Sequence, residues 1–120
     1  MNTLSTHVLD SATGRPAGGM LVTLEKAVRL DEVDGSVRRT WMPLADGVTD
    51  PDGRLNDWDG APLGTGHYRL IFNTQAWSDN HERECFYPEV IITFAVNDDD
   101  SHYHVPLLLA PYAYSTYRGS

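Results

Sequence analysis

Apolar and polar positions alternate with a period of two along most of the chain, and the runs are separated by clusters of Gly, Pro, Asp and Asn. That pattern predicts a small antiparallel β domain. Leu4, Thr6 and Val8 alternate with Ser5, His7 and Leu9 until Asp10-Ser11-Ala12-Thr13-Gly14 breaks the strand. A second run covers Met20 to Leu30, the charged segment Asp31 to Gly35 reads as a hairpin tip, and a third strand is expected over Arg38 to Thr49. Asp50-Pro51-Asp52-Gly53 is turn chemistry. Gly60, Gly64 and Gly66 lead into a strand over Tyr68 to Phe72.

One helix is predicted, short and running from about Thr74 to Arg83, with Asn73 or Thr74 as its cap. Phe86-Tyr87-Pro88 returns the chain to the sheet, and Glu89 to Asn97 follows as a strand with Val90, Ile92, Phe94 and Val96 on one face. Asn97 to Ser101 turns it back into a partner strand, His102 to Leu109, and Ala113 to Arg118 forms the last strand. Seven or eight strands at this spacing imply an all-β, two-sheet sandwich with one short helix.

The length, 120 residues, fits a single domain over 1–120, and 41% hydrophobic residues suffice for a packed core. A net charge of −8 has the wrong sign for nucleic acid or anionic lipid, so neither is expected as a partner. No run approaches the ~20 apolar residues that span a bilayer, and the first residues show no basic segment leading into an apolar one. The single cysteine, Cys85, excludes an intrachain disulfide, which favours a reducing cytoplasm.

Strand parity locates the candidate chemistry. The apolar face Tyr103, Val105, Leu107, Leu109 turns His102, His104, Pro106 and Leu108 outward, and Leu4 with Val8 turns His7 outward beside Ser5. Two outward imidazoles could then meet over one sheet face. His102 and His104 are also conceivable zinc ligands, but the third donors on offer, His67, His81 and Cys85, lack ligand spacing, so no metal is expected. Arg54 leaves the Asp50 to Gly53 turn, either paired with Asp50 or Asp52 or free to clamp an anion or carbonyl. Cys85 has no basic neighbour in sequence to activate it.

Several segments together resemble one family. They are Leu4-Ser5-Thr6-His7-Val8-Leu9-Asp10 with Thr13-Gly14-Arg15-Pro16-Ala17, then Thr49-Asp50-Pro51-Asp52-Gly53-Arg54, Phe86-Tyr87-Pro88-Glu89-Val90, and the end from Tyr103 to Ser120. The chain resembles the 5-hydroxyisourate hydrolases, the transthyretin-like enzymes of urate breakdown. The terminal Tyr117-Arg118-Gly119-Ser120 is the most specific match, because it marks the hydrolases and is missing from the hormone-carrying transthyretins. The resemblance implies a transthyretin-like β-sandwich, a homotetramer with active sites at the dimer-dimer interface, and no cofactor. It also implies hydrolysis of 5-hydroxyisourate, with His7, Arg54, His104 and Ser120 catalytic and with His7, Arg54, Tyr117, Arg118 and Gly119 binding substrate. Either histidine could be the general base. The alternative is a transthyretin-like carrier that holds a small hydrophobic ligand without reacting it.

Overall fold

A computed structural model describes residues 2–56, 58, 63–97 and 101–119. Two sheets pack face to face. The first contains β1 (Thr3–Asp10), β8 (His102–Ala110) and β9 (Ala113–Thr116) in the order β1-β8-β9, and the free edge of β1 carries two short strands, β2 (Arg15–Pro16) and β5 (Arg54–Leu55). The second has the order β4-β3-β6-β7, with β3 at Leu21–Val33, β4 at Ser36–Val48, β6 at Gly66–Phe72 and β7 at Val90–Val96. Between them lies one apolar layer. Leu4, Val8, Tyr103, Val105, Leu107 and Leu109 come from the first sheet, and Val22, Leu24, Tyr68, Leu70, Phe72, Val90, Ile92 and Val96 from the second. Alternation on β1, β7 and β8 therefore assigns their inward faces correctly.

The pairing departs from the sequence reading in two ways. β8 does not pair with β7; it crosses to the other sheet and runs parallel to β1, from Thr3↔His102 to Asp10↔Leu109. Periodicity reports which face of a strand is buried and carries no information about the identity or direction of its neighbour. The hairpin of β3 and β4 is also longer than expected, because both strands continue through the charged segment to a two-residue turn. Asp34 and Gly35 supply the two positive φ values, 50° and 78°, that such a turn requires, and Val33 pairs with Ser36 across it.

The helix α1 (Thr74–Asn80) stops short of the expected Arg83. Asn73 caps it, accepting from the Ala76 N–H, and Glu82 ends any continuation with a φ of 51°. Trp77 is buried and donates to the Gly18 carbonyl, while the His81 ring stacks on it at 4.2 Å. Arg83 turns back over Trp77 and pairs with Asp10, so the helix is tied to the end of β1. Burial raises the Asp10 pKa, but the bonds from Arg83 and Thr13 outweigh it and hold the carboxyl below its ordinary value. Residues 83–89 stay outside the sheet, and β9 ends at Thr116, two residues before the expected Arg118. Asp98 to Asp100, expected within the turn after Asn97, and Gly60 lie outside the described residues.

Candidate active site

Arg54 owes its position to the turn before it. The Asp50 carboxylate accepts from the backbone N–H groups of Asp52 (2.9 Å) and Arg54 (3.0 Å), and the Gly53 N–H donates to the Asp50 carbonyl. Gly53 has a φ of 75°, and a Cβ there would sit 2.3 Å from the Val8 carbonyl oxygen, so only glycine lets the turn lie this close to β1. The Gly53 carbonyl in turn accepts from the Val8 N–H at 2.7 Å. Of the two alternatives for Arg54, the pairing with Asp50 or Asp52 does not form: Asp50 is occupied by backbone donors, and among the described residues no ion pair engages the exposed guanidinium.

The ladder then lines up the other groups. Arg54 is the register partner of His7, His7 of Pro106, and Ser5 of His104, while His104 forms a single antiparallel bridge with Gly119. Register partners project to the same face, so Arg54, His7, Ser5 and His104 all stand on the outer side of the first sheet. His7 and His104 are diagonal neighbours, roughly 8 Å apart at the backbone for ordinary strand spacing. That separation suits two side chains approaching one small heterocycle from adjacent strands. Pro106, opposite His7 in register, is already buried within the protomer.

Hydrogen bonds fix both rings. The His7 Nε2–H donates to the Asp52 carbonyl at 2.9 Å, and since a carbonyl can only accept, the proton of neutral His7 sits on Nε2 and its lone pair on Nδ1. His104 Nδ1 is bonded to Ser5 Oγ at 2.7 Å, and the same hydroxyl contacts His102 Nε2 at 2.8 Å. Among the described residues nothing bonds His104 Nε2, the nitrogen left for a ligand. Burial, followed by the positive charges of Arg54, His102 and His7, holds the His104 pKa below the ordinary histidine value, and a hydrogen bond to the Ser5 backbone opposes this only in part. His104 is therefore neutral at pH 7, the form in which an imidazole can accept a proton.

The terminal motif reaches the site through its glycine. The Gly119 N–H donates to the His104 carbonyl at 2.8 Å, and a Cβ on Gly119 would stand 2.4 Å from His104 Cδ2. The tail backbone thus lies directly against the imidazole. Tyr117 is exposed. Arg118 goes the other way, with its guanidinium 4.5 Å from the ring of inward-facing Tyr103, so this protomer does not bring it onto the His104 face. Ser120 lies outside the described residues.

The remaining candidates are scattered. His67, on β6, accepts from Arg39 at 3.1 Å; His81 sits at the end of the helix; Cys85 is in the loop that follows. None joins His102 and His104, whose facing nitrogens are engaged by Ser5 rather than turned together onto one point. Strand parity puts Ser5 on the outer face beside His7, but a lone serine there carries no sign of a role. The Asp52 carbonyl is invisible in sequence, because a backbone group has no signature there.

A profile of the HIUase/Transthyretin family matches residues 4–119. The chain belongs to this family. The HIUase/Transthyretin relatives include the 5-hydroxyisourate hydrolase of Salmonella dublin, 42% identical over 99% of this chain and 82% of that protein. The solved structure of Klebsiella pneumoniae 5-hydroxyisourate hydrolase is 40% identical, covers all of both chains and superimposes with a TM-score of 0.80. Sea bream transthyretin in complex with thyroxine superimposes equally well, with a TM-score of 0.81 over 98% of this chain and 94% of that one, but at 27% identity. Superposition of the backbone therefore does not separate the hydrolase from the thyroxine-bound relative.

Proposed function

We propose that the chain hydrolyses 5-hydroxyisourate to 2-oxo-4-hydroxy-4-carboxy-5-ureidoimidazoline in urate degradation. The observation that carries this reading is the convergence of Arg54, His7 and His104 on one outer sheet face, with Gly119 of the terminal motif against the His104 ring. The 5-hydroxyisourate hydrolases named above are also nearer in sequence than the thyroxine-binding relative. His104 Nε2 takes a proton from water as its oxygen bonds to the activated acyl carbon, and the ring C–N bond breaks as a proton passes to the leaving nitrogen. Arg54 holds the acyl oxygen through its planar fork and stabilises the charge that develops there. His7, through Nδ1, hydrogen-bonds the heterocycle. The tail from Tyr117 to Ser120 closes the site and orients the substrate. An acyl group this activated requires no metal or cofactor.

The outer face of β1 and β8 carries these polar groups beside half-buried Leu9 and Leu108, and one small protomer leaves it open. A homotetramer with sites at the dimer-dimer interface covers it. A single cysteine suits a reducing cytoplasm, and the charge of −8 disfavours nucleic acid and anionic membranes as partners. No helix among the described residues is long and apolar enough to cross a membrane.

The equal superposition on transthyretin supports one rival, a carrier of a small hydrophobic ligand. Pure protein added to 5-hydroxyisourate generated in place by urate oxidase separates the two, since the hydrolase accelerates decay of the ultraviolet signal and the carrier leaves it at the spontaneous rate. Light scattering on the same sample should return four times 13.4 kDa. A monomer at micromolar concentration with full activity would remove the shared-site assembly.

A further inference from the structure

Four polar side chains form a continuous line on the outer face of β1 and β8. Thr3 Oγ1 contacts His102 Nδ1 at 2.6 Å, His102 Nε2 contacts Ser5 Oγ at 2.8 Å, and Ser5 Oγ contacts His104 Nδ1 at 2.7 Å. Ser5 is only 5% exposed, so its hydroxyl finds its partners among these rings. A hydroxyl has one proton to give. If it donates to one imidazole nitrogen, it must accept an N–H from the other, and the tautomers of His102 and His104 become coupled.

Two settings satisfy every contact. In the first, Ser5 donates to a bare His102 Nε2, the proton of His102 sits on Nδ1 facing Thr3, and His104 donates its Nδ1–H to Ser5. The His104 lone pair is then on Nε2, toward the substrate. In the second, every donor is reversed, and His104 carries its proton on Nε2, where it cannot act as a base. A second proton on His102 makes both its nitrogens donors, Nδ1 to Thr3 and Nε2 to Ser5, and the Ser5 proton then turns to His104 Nδ1, so Ser5 and His104 take the second setting. In the exchange between the two settings each shared proton moves one position toward Thr3, while His104 Nε2 takes up one proton from solvent and the Thr3 hydroxyl releases one, so the total is unchanged.

We propose that Ser5 is a positioning residue that fixes the His104 tautomer, and that the protonation of His102 selects between a basic and a non-basic Nε2. The assignment deepens the hydrolase reading and rests on it for its consequence in rate, but the coupling itself is a property of the free protein. Other charged or titratable groups around the line are His7 from β1, Arg54 from β5, Asp50 and Asp52 from the preceding turn, and Tyr117 from the tail, while Arg118 lies over Tyr103 on the opposite face. None of them bonds His102, Ser5 or His104 Nδ1, so none replaces the hydroxyl in relaying proton position.

Nitrogen-15 NMR of the histidine rings in the full chain tests the coupling without reference to activity. At pH 8 His104 should carry its proton on Nδ1, and as His102 gains its second proton the His104 proton should shift to Nε2 while the ring stays neutral. Ser5→Ala should leave His104 a mixture of tautomers at every pH and lower kcat on 5-hydroxyisourate on the order of 10-fold with little change in KM. Ser5→Thr, which keeps the hydroxyl, should restore most of that loss, and His102→Phe should abolish the pH-driven shift. A proton on His104 Nε2 at pH 8, or identical tautomers in wild type and Ser5→Ala, overturns the proposal. Coupled tautomers in a protein that does not accelerate 5-hydroxyisourate decay would uphold the coupling and sink the hydrolase reading instead.

Discussion

His104→Asn is expected to slow 5-hydroxyisourate turnover by about 10²–10⁴-fold, the range contributed by a positioned general base. Asparagine keeps a polar atom near Ser5 but has no nitrogen able to take a proton from water. Arg54→Lys should cost on the order of 10²-fold, since an ammonium on a flexible stem cannot reproduce the planar fork against a developing oxyanion. Neither side chain belongs to the apolar layer, so both variants should melt close to wild type. The stability of the His104 variant should differ in its pH dependence. The folded state depresses the His104 pKa below 6.5, so the unfolded chain binds more protons there, and stability present above pH 6.5 is lost as pH falls from that value through the depressed folded one. Thermal melts from pH 7.5 to 5 should show a shallower acid loss in His104→Asn. Wild-type turnover in both variants would return Arg54 and His104 to the status of surface residues.

The parts of the fold legible in sequence are those that a strand's own residues dictate. Val90, Ile92 and Val96 on β7, and Tyr103, Val105, Leu107 and Leu109 on β8, are buried because alternation on a two-layer fold has only one apolar side to bury. The Asp50 to Gly53 turn was legible because its carboxylate and its glycine answer needs of the turn itself. Illegible were the features set by partners distant in the chain. The parallel pairing of β1 with β8 joins residues 99 apart in sequence, and nothing local to either strand encodes it. The same pairing builds the site, since it alone puts Ser5 beside His104 and His7 one register step further along. Parity could place three histidines on one outer face, whereas the hydroxyl that links two of them, and the carbonyl that orients the third, required the register. Arg118 shows the converse limit. A motif matched as a unit still sends its members to opposite sides of the sheet, with Gly119 against His104 and Arg118 over Tyr103.

Gly119→Ala is expected to lower turnover by about 10²-fold while the protein still folds and assembles, and the reason lies in a single contact. The added methyl would stand 2.4 Å from His104 Cδ2 and 3.1 Å from Cγ, closer than carbon atoms approach, so either the ring or the tail must move. If the ring rotates, the Ser5 bond to Nδ1 breaks and the base loses its orientation. If the tail lifts, the Gly119 N–H leaves the His104 carbonyl and the terminal motif no longer closes the site. Both responses misplace a reacting group by about 1 Å, which is enough to forfeit most of the advantage of holding water and substrate together. The core is untouched, because Val8, Val105 and Leu107 lie on the other face of the sheet. Deleting Tyr117 to Ser120 should act in the same direction and further, with assembly retained and ring opening lost. In a carrier, whose ligand rests on distributed apolar contacts, both changes would matter little. Light scattering and 5-hydroxyisourate decay measured on the same Gly119→Ala sample decide the matter: an intact assembly turning over at the wild-type rate would show that the tail does not hold the imidazole in place for chemistry.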